Sequence, residues 1–330
     1  MWNPPLPGGL VRLSWMRQGA TVEIVGLGEA MVLVTPADGQ PLHRSATASL
    51  HVGGAELNLC AAAARLGARA AFCSRVGADP FGDRIRAEAQ RQGVDTSLLA
   101  VSDAAPTGIY FKDVHTDGTR RVHYYRAGSA ASTMDESDAR RLLDARPSLV
   151  VVSGITAALG DGPLAAVRAV LAARTAGGLR AALDPNLRPA LGPVADQADR
   201  IRPLLGQVDI LLLGLDEAGP VLGTTDPAKV FAAAAAAGVA ETVLKAGPDG
   251  CYVCGPDGPV HLPSAATRVV DPVGAGDAFA GGYLVGRLRG LDPTRAAWLG
   301  SQMAAAVLTA IGDTEGLPTV AEAAALLAKA

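Results

Sequence analysis

Val270-Asp271-Pro272-Val273-Gly274-Ala275-Gly276-Asp277-Ala278-Phe279-Ala280-Gly281-Gly282-Tyr283 reads as a strand-to-helix turn built around glycine. The β-branched residues at its start suggest a strand, Pro272 breaks it, and two glycines precede an apolar run with the pattern of a helix. Glycines let a ligand approach bare backbone, and the free N–H groups of a first helical turn face it with the positive end of the helix dipole behind them. That is the layout of an anion site. Asp277 stands at its mouth, either as a helix cap or as an acid facing the ligand.

Around this turn the chain runs to 330 residues, 49% of them hydrophobic, enough for one large α/β domain. A formal charge of −3 leaves no basic surplus to neutralise phosphates. Neither nucleic acid nor a membrane surface is therefore an expected partner, and a small molecule is. No apolar run reaches the roughly 18 residues of a membrane span. Cysteine is sparse, at Cys60, Cys73, Cys251 and Cys254, and no signal-peptide pattern opens the chain, so a cytoplasmic location is expected. Cys251 and Cys254 have the spacing of a metal pair. Strand-like neighbours would send residues three apart to opposite faces, and no second pair follows. His43, His51, His115, His123 and His261 are scattered without ligand spacing and take no role.

Residues 1–17 hold three prolines and no periodic pattern, and read as a loose extension in which Met16 is an alternative start; residues 18–330 read as the folded unit. From Val22 onward apolar strands alternate with Ala- and Leu-rich helices closed by glycine, among them Ala55–Leu66, Pro80–Gln92, Gly162–Thr175 and Asp196–Leu205. This rhythm predicts a mostly parallel sheet covered on both faces, with ligands at the carboxyl ends of its strands. It is interrupted where Thr107–Val114 and Arg120–Tyr125 alternate in the strand manner around Asp117-Gly118. Together with short strands between residues 31 and 52, they predict a small sheet standing off the main body as a lid, with lid strands at about 31–52 and 106–127.

Two familiar phosphate motifs are excluded. No G-x-x-x-x-G-K-[ST] occurs, and neither Gly26-Leu27-Gly28 nor Gly274-Ala275-Gly276 is followed by the third glycine of a dinucleotide fingerprint. Gly53-Gly54-Ala55-Glu56-Leu57-Asn58 leads a glycine pair into a helix, either for packing or to let a polar ligand reach backbone and Asn58. Asp184-Pro185-Asn186-Leu187-Arg188-Pro189 sets an acid, an amide and a guanidinium on a proline-stiffened loop at a strand end. Lys245-Ala246-Gly247-Pro248-Asp249-Gly250 follows another strand. At Gly214-Leu215-Asp216-Glu217 two acids follow a third, either as an outer-sphere Mg²⁺ site or as the acidic start of a helix.

Together these pieces resemble the PfkB, or ribokinase-like, family of carbohydrate kinases. Gly53–Asn58, continuing through Arg65-Leu66-Gly67 and Arg75–Gly82, resembles its N-terminal signature, and Asp271–Asp277 its C-terminal one. The resemblance runs from about Val22 to the C-terminus. It implies a three-layer α/β/α sandwich with a β lid, Asp277 as catalytic base, and the N–H groups of Gly274, Ala275 and Gly276 as an oxyanion cradle. It also implies ATP near Lys245, Gly247 and Gly250, with Asn186, Arg188, Gly274 and Gly276 as further nucleotide contacts. Mg²⁺ is placed near Glu217, with a monovalent cation as a further candidate, and a homo-oligomer is expected.

Within the family, Thr107–Tyr110, Tyr124–Ala130 and Asp184–Pro189 resemble the members acting on 2-keto-3-deoxy sugar acids. That implies transfer of a phosphoryl group from ATP to the 6-hydroxyl of 2-keto-3-deoxygluconate. Gly54, Asn58, Tyr110, Tyr124, Tyr125 and Arg126 would bind the keto acid, with Arg188 at its carboxylate and Asp313 and Asp277 beside it. Two departures stand out: Gly214 replaces the family's usual metal-motif Asn, and Asp271-Pro272-Val273 replaces Asp-Thr-x. The chemistry agrees independently, because a guanidinium fork meets a carboxylate bidentately. Such a pair is worth on the order of 4 kcal/mol at ~4 Å in a surface-like dielectric, before desolvation. Neutral ribose or fructose would leave both arginines without that partner. An ordinary Asp pKa near ~3.9 would make Asp277 a weak base, valued for orientation more than basicity. A kinase for a neutral sugar and a non-catalytic sugar-acid binder on the same fold are the alternatives.

Overall fold

The computed structural model describes residues 22–114, 120–174, 178–255 and 258–330. The expected loose extension at 1–17, the Asp117-Gly118 turn and Thr175 lie outside the described residues. Short β-branched and leucine-rich runs form β1 (Ile24–Leu27), β4 (Ala70–Gly77), β5 (Leu99–Ser102), β8 (Leu149–Ser153), β9 (Arg180–Asp184), β10 (Ile210–Gly214) and β11 (Glu241–Lys245). The hairpin β12 (Cys251–Gly255) and β13 (Gly258–Leu262) completes a sheet ordered β13-β12-β11-β10-β9-β8-β1-β4-β5 among the described residues. Neighbours from β11 to β5 are parallel, and only the hairpin runs antiparallel.

Strand residues alternate between two separate cores. Ile24, Phe72, Leu149, Val151 and Leu212 feed one, and Val25, Leu27, Cys73, Val150, Val152 and Leu211 feed the other. A strand that is apolar at every position must be covered twice, so helices pack on both sides. The first core is closed by α1 (Ala55–Arg65), α2 (Pro80–Arg91), α9 (Ala275–Leu288), α10 (Pro293–Val307) and α11 (Val320–Lys329). The second is closed by α3 (Glu136–Asp144), α4 (Gly154–Ala158), α5 (Asp161–Ala172), α6 (Val194–Ile201), α7 (Leu215–Leu222) and α8 (Pro227–Ala236). This is the α/β/α sandwich implied by the resemblance.

A second sheet, ordered β3-β2-β6-β7, joins β2 (Met31–Pro36), β3 (Ala48–Gly53), β6 (Ile109–Val114) and β7 (Arg120–Tyr125). It is the expected lid. Two local expectations fail. The helix expected over Asp196–Leu205 gives way at Arg202 to a 3₁₀ turn, because Pro203 has no N–H to continue the ladder. No strand ends at Val270, whose N–H instead bonds Leu308 O at 2.7 Å, tying an irregular segment to the end of α10. The acid pair after β10 does open a helix, α7, one of the two readings left open for it, with Glu217 accepting the Gly214 N–H in a capping box. On β12, Cys251 is buried and Cys254 exposed.

Candidate active site

Two helix N-termini meet here because α1 and α9 cross with almost no side chain between them. A methyl on Gly281 of α9 would lie 2.7 Å from Leu59 O and 2.8 Å from the Ala62 side chain, so only glycine permits this approach. The crossing sets the first turn of α1 beside the first turn of α9. Asn58 Nδ2 accordingly donates to Asp277 Oδ2 at 2.9 Å and to Asp313 Oδ2 at 3.3 Å. The cap of α9 is Gly274, held in the left-handed region at φ 80 with no side-chain cap bond. A Cβ there would come 2.1 Å from Asp313 O. Asp277 therefore does not cap its helix, and its carboxylate is left to the cavity.

That cavity has a volume of about 500 Å³ and lies at the carboxyl ends of the strands. Glu29 after β1, Asp184 ending β9, Asp216 and Glu217 after β10 and Lys245 ending β11 line it from below. The lid closes it from above with Met31, Gly53, Tyr110, Lys112, Tyr124 and Arg126. Gly54, Asn58, Asn186, Arg188, Gly247, Gly274, Gly276, Asp277 and Asp313 complete the wall. Asn186 is buried and left-handed at φ 43, a conformation that Asn tolerates better than most residues. A second cavity of about 390 Å³ shares Lys245, Gly247, Pro272 and Gly276. Gly250, Ala275, Phe279, Ala304 and Leu308 make it largely apolar, the character that a flat heteroaromatic base requires.

The electrostatics of the larger cavity distinguish its cations. Arg126 is ion-paired with the buried Glu29, Nε at 2.7 Å, and lies 5.5 Å over the Tyr124 ring. Ser129 Oγ donates to the other Glu29 oxygen at 2.5 Å. Lys245 Nζ is 2.5 Å from Asp184 Oδ2, and Lys112 Nζ is 3.2 Å from Asp271 Oδ2. Among the described lining residues, Arg188 is the cation with no carboxylate within ion-pair distance.

Burial pushes the Asp277 carboxyl up to about 7. The Asn58 donor and the Arg188 charge pull it down, while Asp184 and Asp313 push with the burial. The ordinary carboxylate expected from the residue type is thus corrected, since a desolvated acid near neutrality is a competent base at physiological pH. Burial works against the Lys245 ammonium, but Asp184 and Glu217 outweigh it and hold its pKa above the ordinary value. Glu217 is shifted upward by burial and by Asp184, against Lys245.

Mg²⁺ chemistry asks for hard oxygen donors. Among the described residues no group of three or more His, Cys, Asp or Glu is placed to hold an ion. Both Glu217 oxygens accept backbone N–H groups, from Leu187 and Gly214, each at 2.7 Å. Asp184 Oδ1, by contrast, is buried without a hydrogen-bond partner and sits on the same wall. A hydrated divalent ion accompanying a polyphosphate fits Asp184, Asp216 and Glu217 as an outer shell.

One expected residue is misplaced. Tyr125 is 65% exposed and packs edge-on against Phe111, away from the cavity, because neighbours on a strand alternate and Tyr124 already faces inward. The other expected residues line one or both cavities. Missed were Glu29, Lys112 and the buried, unpartnered Asp184 Oδ1. Lys112 carried a readable signal, standing two residues from Tyr110 on an alternating strand.

A family model described as pfkB family carbohydrate kinase matches residues 22–320. A 2-dehydro-3-deoxygluconokinase of Thermoproteus tenax is 37% identical over 312 residues, covering 93% of this chain and 95% of the relative. A protein of the same name from Bacillus subtilis (strain 168) is 33% identical over 309 residues, again covering 93% and 95%. The crystal structure of a 2-dehydro-3-deoxygluconokinase from Thermotoga maritima matches with a TM-score of 0.83 at 25% identity, covering 93% of this chain and 98% of that one.

Proposed function

The chain belongs to the pfkB family of carbohydrate kinases, and from that premise we propose that it transfers the γ-phosphoryl group of ATP to the 6-hydroxyl of 2-keto-3-deoxygluconate, also written 2-dehydro-3-deoxygluconate. The observation that carries the substrate is Arg188, the lining guanidinium left without a carboxylate in a cavity whose other cations are paired. A sugar acid supplies that carboxylate, and fructose or ribose does not. The relatives' names point the same way.

In this reading residues 18–330 form one kinase unit, and Gly54, Asn58, Tyr110, Tyr124 and Arg126 hold the keto acid under the lid. Arg126, its charge met by Glu29, contributes directed donors more than net charge. Asp277 takes the proton of the 6-hydroxyl as that oxygen bonds to phosphorus, and ADP leaves. The N–H groups of Gly274, Ala275 and Gly276 meet the charge on the transferring phosphoryl oxygens. The nucleotide runs past Asn186, Lys245, Gly247 and Gly250 toward the apolar cavity. Charge on its phosphates is further neutralised by Mg²⁺, which Asp184, Asp216 and Glu217 would hold through water. Dependence on ATP fits the cytoplasmic location expected from the cysteine content.

An ADP-release assay across 2-keto-3-deoxygluconate, its galactose-derived epimer, fructose and ribose tests the proposal. The keto acids are expected to exceed the neutral sugars in kcat/KM by about 100-fold, the worth of one charge-assisted recognition pair. Equal turnover of fructose would overturn the substrate class. Calorimetric binding of the keto acid with no ADP formed would leave a sugar-acid binder.

A homo-oligomer belongs to the same reading. Leu50, Val34 and Phe111 lie opposite one another on adjacent lid strands, with exposed Tyr125 packed on Phe111. A second copy would cover this outer face. Light scattering should give a multiple of the chain mass, and a monomer at assay concentration would remove this part of the reading.

A further inference from the structure

Lys112 lies outside the roles assigned so far, and its position in the lid is unusual for a charge. Its ammonium is carried into the interior by β6, whose alternation turns Tyr110 and Lys112 to the cavity side, and the residue is only 9% exposed. A buried ammonium is tolerated only when paired, so its partners are informative. They come from two different segments: Asp271 Oδ2 at 3.2 Å, before α9, and Asp313 Oδ1 at 3.8 Å, in the turn after α10.

Those two segments are what shape the anion cradle. Asp271 Oδ1 accepts the Val273 N–H at 3.3 Å, and Oδ2 lies 3.5 Å from the Gly312 N–H, so this carboxylate organises the turn entering Gly274. The carbonyl of Asp313 is the surface against which Gly274 sits. Its carboxylate also accepts from Asn58, which in turn holds Asp277. Take the ammonium away, and two buried carboxylates face each other across the seat of the cradle with less charge to hold them together.

We propose that Lys112 is a positioning residue for phosphoryl transfer, a lid-borne cation that clamps Asp271 and Asp313 so that the N–H groups at Gly274–Gly276 and the Asp277 carboxylate converge on the transferring group. The lid on this account shapes the cradle as well as covering the sugar. The inference rests on the kinase reading above, with Asp277 and the cradle as its centre.

The test compares kcat and KM of Lys112→Met, Lys112→Ala and Lys112→Arg with the parent, using whichever acceptor the parent turns over best. Absence of parent turnover would strike the kinase reading itself, whereas the Lys112 ratios bear on the clamp alone. Lys112→Met is expected to lose about 10-fold or more in kcat with the KM for ATP little changed, since one misplaced oxyanion donor costs about 100-fold. Lys112→Arg keeps the charge and should retain more activity than Met. In Lys112→Ala the vacated space should admit a small cation, so ammonium ions should restore several-fold of the lost kcat where choline, too large to enter, restores none. A purely structural lysine would not give that distinction. If Lys112→Met does not fold, Lys112→Met with Asp271→Asn, which removes both charges together, carries the same kcat test. Parent-like kcat in the Met and Ala variants, or a loss that neither arginine nor ammonium relieves, overturns the proposal.

Discussion

Asp277→Asn is expected to lower kcat about 1,000-fold, within the range that a positioned general base contributes, in a protein that stays folded. Asn58 can still bond the new amide oxygen, and the helix keeps its glycine cap, so little structural reason exists for unfolding. Thermal unfolding supplies a second readout. The carboxyl is raised from 3.8 to about 7, so the fold disfavours the ionised form. Its favourable contribution is present in full below the unfolded pKa of 3.8 and is lost as pH rises through about 7. Replacing the acid by a neutral amide removes that loss. The Tm of Asp277→Asn relative to the parent should therefore rise between pH 5 and pH 8, while activity is nearly absent throughout. In the parent, kcat/KM should climb with pH on a limb centred near 7, reporting the free enzyme's base. Turnover within about tenfold of the parent, below the smallest general-base effect, would remove Asp277 from the role.

The contrast between this pKa and the one expected for an ordinary Asp indicates where sequence reading stops. Residue type and spacing disclosed the glycine turn entering α9, because the left-handed backbone of Gly274 and its close approach to Asp313 O exclude a side chain there. The layers were legible for a similar reason: Leu149–Val152 and Ile210–Leu213 are apolar at every position, which only a doubly covered strand permits. The lid was legible because its strands alternate. Desolvation was not, since it depends on how α1, α9 and the 313 turn close around Asp277. Ion pairs across the fold were equally hidden. Lys112 and Asp271 are 159 positions apart, and Lys245 and Asp184 are 61 apart, so each reads alone as a surface charge. Tyr125 was misassigned for a smaller reason, being taken with Tyr124 as a motif when strand parity admits only one of the two to the cavity. The start of α7 was legible only as one of two readings of Asp216-Glu217, and Pro220 inside the helix hides its continuation.

Arg188→Ala should raise the KM for the keto acid about 100-fold, the loss expected when a charge-assisted, two-pronged contact to a carboxylate is removed, with kcat reduced far less. The same variant should improve, in relative terms, the standing of neutral sugars, because the cavity no longer holds a guanidinium that a neutral ligand leaves unpaired. A second effect separates charge from contact. Arg188 helps hold the Asp277 carboxyl down against its burial, so without it the pKa moves further up. The rising limb of kcat/KM should then shift to more alkaline pH. Arg188→Lys keeps the charge and loses the planar fork. It should leave the limb near its parent position while still raising the keto-acid KM. A KM unchanged in both variants would place the substrate carboxylate elsewhere. Because Glu29 already neutralises Arg126, the remaining candidate on the lid would then be the Lys112 ammonium, which would have to leave Asp271 to reach it. That outcome would also show as loss of keto-acid binding in Lys112→Met, where the clamp predicts a loss in kcat.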